Sequence, residues 1–352
     1  MSATQSDHIR SAIAARNSRG MAAKVRDWIQ SRPEGGIAVL FVVVQAVVVL
    51  SAVAMPDFRY LTQANIAVTL KAIAPLGIMA LGVGILMIAG EFDLSVGALY
   101  SFCAIVTATL TNAWGADIDA EGANALLPFV AMAIGLLIGT LAGIVHAVIT
   151  LRFNIPSFIT TLGAMLIWKG ATLLFHGATS LRFKPSEPFA SIFGGQIGVV
   201  HASMFWFLGM AVVFFFLLHR HRLGNHFFAV GGNRNAAVAI GINPARTKII
   251  AFAICGFMAA LSGIVAGVRV SSIQPGGGIG LELVAIAACV IGGHALMGGR
   301  GSILGIVLGT ALMFTIQDVL LLLRAPGFYF EMFVGGLIVI AVIMNMAIRR
   351  KG

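Results

Sequence analysis

Ten apolar runs, separated by short polar or glycine-rich segments, set the plan of this chain: residues 36–54, 63–89, 95–113, 125–149, 156–176, 203–219, 248–268, 282–298, 301–322 and 330–348. A run of about 20 apolar residues in helical form crosses the hydrocarbon core of a bilayer. The pattern therefore predicts an all-α polytopic membrane protein with about ten transmembrane helices. It divides the chain into a polar tail (1–35), a membrane domain (36–348) and a short basic end (349–352). An even number of crossings brings both termini to the same side.

The longest polar interruption is 220–248, RHRLGNHFFAVGGNRNAAVAIGINPARTK. Within it, Asn233 or Asn235 is suited to cap a short helix, Ala236-Ala237-Val238-Ala239-Ile240 propagates it and Gly241 ends it. Two readings stay open at this point. The segment is either a docking element that buries its apolar face on a cytoplasmic partner, or a solvated loop with one amphipathic turn.

Charge orients the plan. Arg10, Arg16, Arg19, Lys24, Arg26 and Arg32 lie in the tail, where a surface helix is expected over 22–30. Arg152, the five basic residues of the long loop (Arg220, Arg222, Arg234, Arg246, Lys248), Arg300, Arg349, Arg350 and Lys351 fall on the same side as the tail. Only Arg59, Arg182, Lys184, Arg269 and Arg324 fall on the other, with the acidic Asp117, Asp119 and Glu121. Basic residues collect on the cytoplasmic side of membrane proteins, so both termini and the 220–248 loop are expected inside.

Composition removes the soluble classes. The chain is 59% hydrophobic and only 10% charged, against about 25% charged for a soluble domain. The net charge of +10 is spread over loops and ends, which argues against a nucleic-acid partner. Cys103, Cys255 and Cys289 all lie in apolar runs and read as small buried hydrophobes, neither metal ligands nor disulfides. No GxxxxGK[ST] phosphate loop, HExxH or GxSxG occurs, so no catalytic residue, metal site or bound cofactor is expected.

Irregular stretches mark where a pathway would lie. Pro75 is expected to break the second span. The stretch 271–280, SSIQPGGGIG, cannot form a regular helix, and reads as the outer mouth of a pathway or as an ordinary external loop. Gly135, Gly139 and Gly143 in the fourth span, and Gly301, Gly305 and Gly309 at the ninth, share one spacing. Five spans separate them, which suggests a 5+5 inverted repeat, or two independent packing ridges. Gly292-Gly293 and Gly298-Gly299 suit a hinge at an inner gate or close helix packing, with His294 as a polar lining or packed residue. Lys71, Lys169, Asp318, His146 and His294 sit near membrane depth, where Lys169 and Asp318 are expected to snorkel to helix ends. Asp93 is placed to cap the third helix; Glu91 has no structural account.

Four motifs together resemble a known family. AGEFDLSVGA resembles the GGIDLSVG signature of the membrane permeases of monosaccharide ABC importers, the ribose, xylose and autoinducer-2 class. NIPSFITTLGAMLIWKG resembles that family's PPFIVTLG segment, and VGGNRNAAVAIGIN its cytoplasmic GGN-x-x-AA-x-x-x-GI loop. GLELVAIAACVIGGHALMGGRGS resembles its glycine-rich signature ending in GGxGS. Glu91-Phe92 departs from the usual Gly-Ile, and His294 from a small or hydroxyl residue.

The resemblance implies a pathway between two permease copies, a homodimer in the lipid membrane. A periplasmic sugar-binding protein would deliver substrate. A separate ATP-binding cassette subunit would hold ATP-Mg and dock on Gly231, Gly232, Asn233, Arg234, Ala236, Ala237 and Gly241. Glu91, Phe92, Asp93, Gly292, Gly293, His294, Gly298 and Gly299 would line or gate the translocation pathway in the bacterial inner membrane. A self-sufficient secondary sugar transporter or channel is the alternative; it leaves the helix at 233–241 without a purpose.

Overall fold

The computed structural model describes residues 34–55, 57–117 and 124–349. The expected surface helix at 22–30, with Asp119 and Glu121, lies outside those residues.

The described chain is mostly helical. Helix α1 (Gly35–Ala54) leads through a 3-10 turn (Arg59–Leu61) to α2 (Gln63–Ile88), α3 (Val96–Ala113), α4 (Leu127–Arg152) and α5 (Ser157–His176). A short strand β1 (Leu181–Arg182), helix α6 (Phe189–Gly194) and the hairpin β2 (Gln196–Ile197) and β3 (Val200–His201) follow. Then come α7 (Ala202–Arg220), α8 (Arg222–Gly232), α9 (Arg234–Ala239), α10 (Pro244–Val270), strand β4 (Ser272–Ile273), α11 (Leu281–Ile291), α12 (Ile303–Leu322) and α13 (Phe328–Arg349). Eight of these, α1–α5, α7, α10 and α12, are long and apolar enough to cross a membrane, and α13 covers the tenth expected run.

Three expectations need correction. The run at 282–298 is not one span: α11 has 11 residues and rises only about 16 Å. The glycines after it let the chain leave the helix, and residues 292–302 finish the passage as a folded loop. Pro75 does not break α2, which continues from Gln63 to Ile88. A proline costs one bond of the ladder, but packed neighbours hold the remaining backbone, and Ser262 Oγ of α10 donates to the Pro75 carbonyl. The 220–248 segment carries two helices, not one: α8 buries Gly224, Phe227 and Val230, spaced three apart along one face.

Two helices form the centre. Every residue of α2 from Ile73 to Ile88 is buried, and α10 is buried over most of its length. They run antiparallel, since Pro75 faces Ser262 while Gly82 faces Cys255 and Met258. Around them the packing repeats. Helix α10 packs on α3 and α4 as α2 packs on α11 and α12. Contacts of α3 with α4 and α5, and of α4 with α5, recur between α11, α12 and α13. Equivalent helices with opposed directions are what an inverted repeat produces. The glycine ridges that suggested it are used differently: Gly139 and Gly143 of α4 lie on α10, whereas Gly305 and Gly309 of α12 lie on α11.

The outer faces are apolar and uncovered, as on α1, where Val42, Leu50 and Val53 are exposed. Such surface suits lipid contact. Between the helices, where lipid and protein are equally apolar, close packing of small residues must hold the bundle. A Cβ at Gly256 would collide with the Gly139 carbonyl, whereas one at Gly163 would meet nothing. Gly256→Ala is therefore expected to destabilise the purified protein by about 1–3 kcal/mol, seen as a lower unfolding midpoint in detergent, with Gly163→Ala as the unaffected control.

Candidate functional site: a glycine-lined seat for a docking helix

One end of the bundle gathers the basic loops. The 89–95 loop after α2, the start of α5, the helices α8 and α9, the start of α10 and the 292–302 loop all meet there. Here the chain segments touch backbone to backbone. The Ile88 carbonyl accepts from Gly299 N at 2.9 Å. A Cβ on Gly231 would collide with that same carbonyl, and one on Gly298 would press on Gly90. A Cβ on Gly299 would strike Gly232. The glycines at 231, 232, 298 and 299 are thus brought together in close backbone contact.

The junction carries α9. Asn233 Oδ1 accepts from Ala236 N at 3.0 Å, which selects Asn233 over Asn235 as the cap. Gly241 follows with φ of +83°, a left-handed conformation that glycine adopts without a side-chain penalty. Gly232, Asn233, Arg234, Ala236 and Gly241 are exposed, but Ala237 is only 1% exposed. Ala237 therefore packs α9 down on its own chain. The apolar side chains α9 presents are Val238, 55% exposed, and Ile240, 73% exposed.

The 89–95 loop is tied down residue by residue. Phe92 N donates to Ser157 Oγ at 3.2 Å and Leu94 N to Thr161 Oγ1 at 3.0 Å, both on α5. Asp93 is fully buried, and its Oδ1 accepts from Ser95 N (2.8 Å) and Ser95 Oγ. Helix α3 begins at Val96 with Ser95 as its cap residue, so Asp93 holds the turn before the helix instead of capping it. Asp93 Oδ2 meets His146 Nδ1 at 3.1 Å, and Trp168 Nε1 donates to His146 Nε2 at 3.1 Å. An indole N–H only donates, so His146 Nε2 is the acceptor and Nδ1 carries the proton towards Asp93. Glu91 gains a partner that spacing along the chain does not suggest: Lys248, at the start of α10, donates to its Oε1.

The remaining gate candidates divide. Gly292 is buried against the Gly305 carbonyl, and Gly293 turns the chain after α11. His294 Nδ1 donates to the Cys289 carbonyl at 3.0 Å, and its ring packs against Gly301 and Gly84. It is a buried wedge between α2 and the start of α12, so the packed reading holds for it. Asp318 accepts from Asn65 Nδ2 at 2.7 Å; it has a protein partner and does not rely on snorkelling. Lys169 is exposed on α5.

At the other end, β1 pairs with β4, joining the 181–182 segment to the 271–280 loop. Tyr100, Ser272, Gln274 and Gly277 line a cavity there. Sequence reasoning missed these groups, having counted Arg269 only as an external charge. The irregular 271–280 stretch was the one signal that led towards them.

This is the architecture of a multi-pass membrane permease. The family described as the branched-chain amino acid transport system / permease component matches residues 65–342. The autoinducer 2 import system permease protein of Escherichia coli is 34% identical over 289 residues, 82% of this chain and 80% of that one. The L-arabinose ABC transporter permease protein of Azospirillum brasilense is 32% identical over 317 residues, 90% and 88% of the two chains. The xylose/arabinose import permease protein of Sulfolobus acidocaldarius is 31% identical over 292 residues, 83% and 80%. No solved structure matches. The chain belongs to this family of ABC importer permeases: it is a multi-pass inner-membrane transport subunit without an ATPase site of its own.

The half-buried Glu91–Lys248 pair is testable by exchange. Removing one partner of such a pair leaves a poorly solvated charge. Glu91→Lys and Lys248→Glu are each expected to lower the unfolding midpoint, and the double exchange to recover it with a coupling of about 1 kcal/mol or more.

Proposed function

We propose that this chain is the membrane subunit through which a neutral monosaccharide or related polyol enters the cytoplasm. Two copies form the pathway at their interface, and a periplasmic binding protein delivers the sugar to the end that carries the 271–280 loop. A separate ATP-binding cassette subunit, which holds ATP-Mg, docks on α8 and α9. Its closure and opening drive alternating access.

The observation that carries this reading is the combination of an exposed apolar turn with a fixed seat. Val238 of α9 and Ile240 just after it are exposed, while Gly231, at the end of α8, packs against Ile88 and Gly299. A push on α9 is therefore delivered to the ends of α2 and of the 292–302 loop. The exposed Arg234 and Arg246 beside the turn support, by the charge rule, a cytoplasmic position for it. The names of the relatives support the substrate class: they are permeases for xylose/arabinose, L-arabinose and autoinducer 2.

Each buried aliphatic side chain contributes about 1.5–3 kcal/mol, so loss of both weakens docking on the order of 100-fold or more. The Val238→Glu/Ile240→Glu variant, expressed with its ATPase subunit and binding protein, is expected to reach the membrane at the normal level. Co-purification of the ATPase subunit and sugar uptake should both fall at least tenfold. Normal co-purification and uptake would remove the docking assignment.

A further inference from the structure

Helix α2 begins, and α12 ends, at the end of the bundle opposite α9, and a cavity of about 110 Å³ opens between them. Thr69 of α2 and Gln317 and Asp318 of α12 supply its polar lining. Val68 and Leu321 also line it, and both are exposed on the apolar outer face of the bundle, so the cavity opens towards lipid. Asp318 Oδ2 accepts from Asn65 Nδ2 at 2.7 Å, and the same amide donates to the Tyr60 carbonyl at 3.3 Å. Tyr60 donates in turn to Gln45 Oε1 of α1, whose amide donates to Thr315 Oγ1. The carboxylate is thus positioned by a neutral group, and it pairs with no cation among the described residues. Thr69 Oγ1 is buried and has no hydrogen-bond partner among the described residues.

Asp318 lies four residues before the end of α12, which is about 6 Å along the axis. At such a depth a carboxylate needs protein, water or a cation beside it. A buried hydroxyl without a partner calls for one as well. The cavity offers three kinds of oxygen acceptor, the Asp318 carboxylate, the Thr69 hydroxyl and the Gln317 amide, and one negative charge. A primary ammonium matches that set, with one positive charge and three N–H donors. The ethanolamine headgroup of a phospholipid carries such an ammonium at the edge of the bilayer, and its acyl chains suit the exposed aliphatic side chains beside the cavity. A choline headgroup has the same charge but no N–H to donate.

We propose that this cavity binds the headgroup ammonium of phosphatidylethanolamine, with Asp318 as its counter-charge and Thr69 and Gln317 as further acceptors. The bound lipid ties the start of α2 to the end of α12, at the end of α2 away from the Gly231 junction. The proposal needs only that the chain spans a membrane and is independent of the cargo.

The full chain is purified in mild detergent with an equal mixture of phosphatidylethanolamine and phosphatidylcholine, and the lipid that stays bound is identified by native mass spectrometry. Phosphatidylethanolamine is expected to exceed phosphatidylcholine by about tenfold, the worth of one charge-assisted hydrogen bond. Asp318→Asn keeps an oxygen for Asn65 and should bring that ratio to about one, while Thr69→Val keeps the shape and should lower it by about threefold. A series on the native chain makes the test independent of how the variants fold: retention should fall stepwise from ethanolamine through its monomethyl and dimethyl forms to choline, as N–H donors are lost. Equal retention of the two lipids by the native chain, or a ratio left unchanged by Asp318→Asn, would overturn the proposal. A rise in the unfolding midpoint with sodium ions in phosphatidylcholine nanodiscs, abolished by Asp318→Asn and without selective retention of phosphatidylethanolamine, would assign the cavity to an inorganic cation and overturn it as well.

Discussion

The end of α2 is where the structure is joined. There the Ile88 carbonyl accepts the Gly299 N–H, and Gly231 lies against the same carbonyl with no room for a side chain. In a membrane, apolar side chains gain little by leaving lipid for protein, so helices cannot be held by hydrophobic burial alone. Backbone approach and main-chain hydrogen bonds take over that role. They also make the contact stiff, because there is no side chain at the junction to change rotamer. A displacement of α8 and α9 must carry the end of α2 and the 292–302 loop with it.

From that junction α2 runs through the centre of the protein, antiparallel to α10, and the inverted repeat places equivalent helices on either side. The two ends are nevertheless built for different tasks. At the basic end the loop after α2 is closed: Glu91 is paired with Lys248, Asp93 is buried under Ser95, His146 and Trp168, and Phe92 and Leu94 are tied to α5. At the other end the corresponding loop after α10 is less closed. It borders a cavity lined by Tyr100, Ser272 and Gln274. One repeat unit thus ends in a tightly packed loop, the other in a loop beside an open space.

Most of the fold was legible in the order of apolar runs, because span length is dictated by bilayer thickness and the polar breaks are sharp. Which helices are central was not legible. Lipid-facing and protein-facing residues are equally apolar, so α1, largely exposed, and α2, almost wholly buried, read alike. The shortness of α11 was signalled by Gly292-Gly293, a pair that ends helices, but the apolar residues around it masked the break. Helix α8 was hidden by Gly224, Gly231 and Gly232, which look like loop residues and are in fact contact points. Helix α9, its Asn233 cap and its Gly241 stop followed from local rules. The Glu91–Lys248 pair did not, since 157 positions separate its members and only the antiparallel packing of α2 and α10 brings them together. The burial of Ala237 was not legible either, because a six-residue helix is too short for periodicity to show which side is buried.

The central claim is that a stroke on α9 reaches the membrane core through Gly231. Gly231→Ala tests it most directly, because the added methyl must push Ile88 and Gly231 apart while the exposed surface of α9 is unchanged. With the variant reconstituted alongside its ATPase subunit and binding protein, ATP hydrolysis and sugar uptake are measured in the same vesicles. The account predicts that the ATPase subunit stays bound and hydrolyses ATP while uptake falls at least tenfold. Uptake that keeps pace with hydrolysis at the wild-type ratio would contradict it.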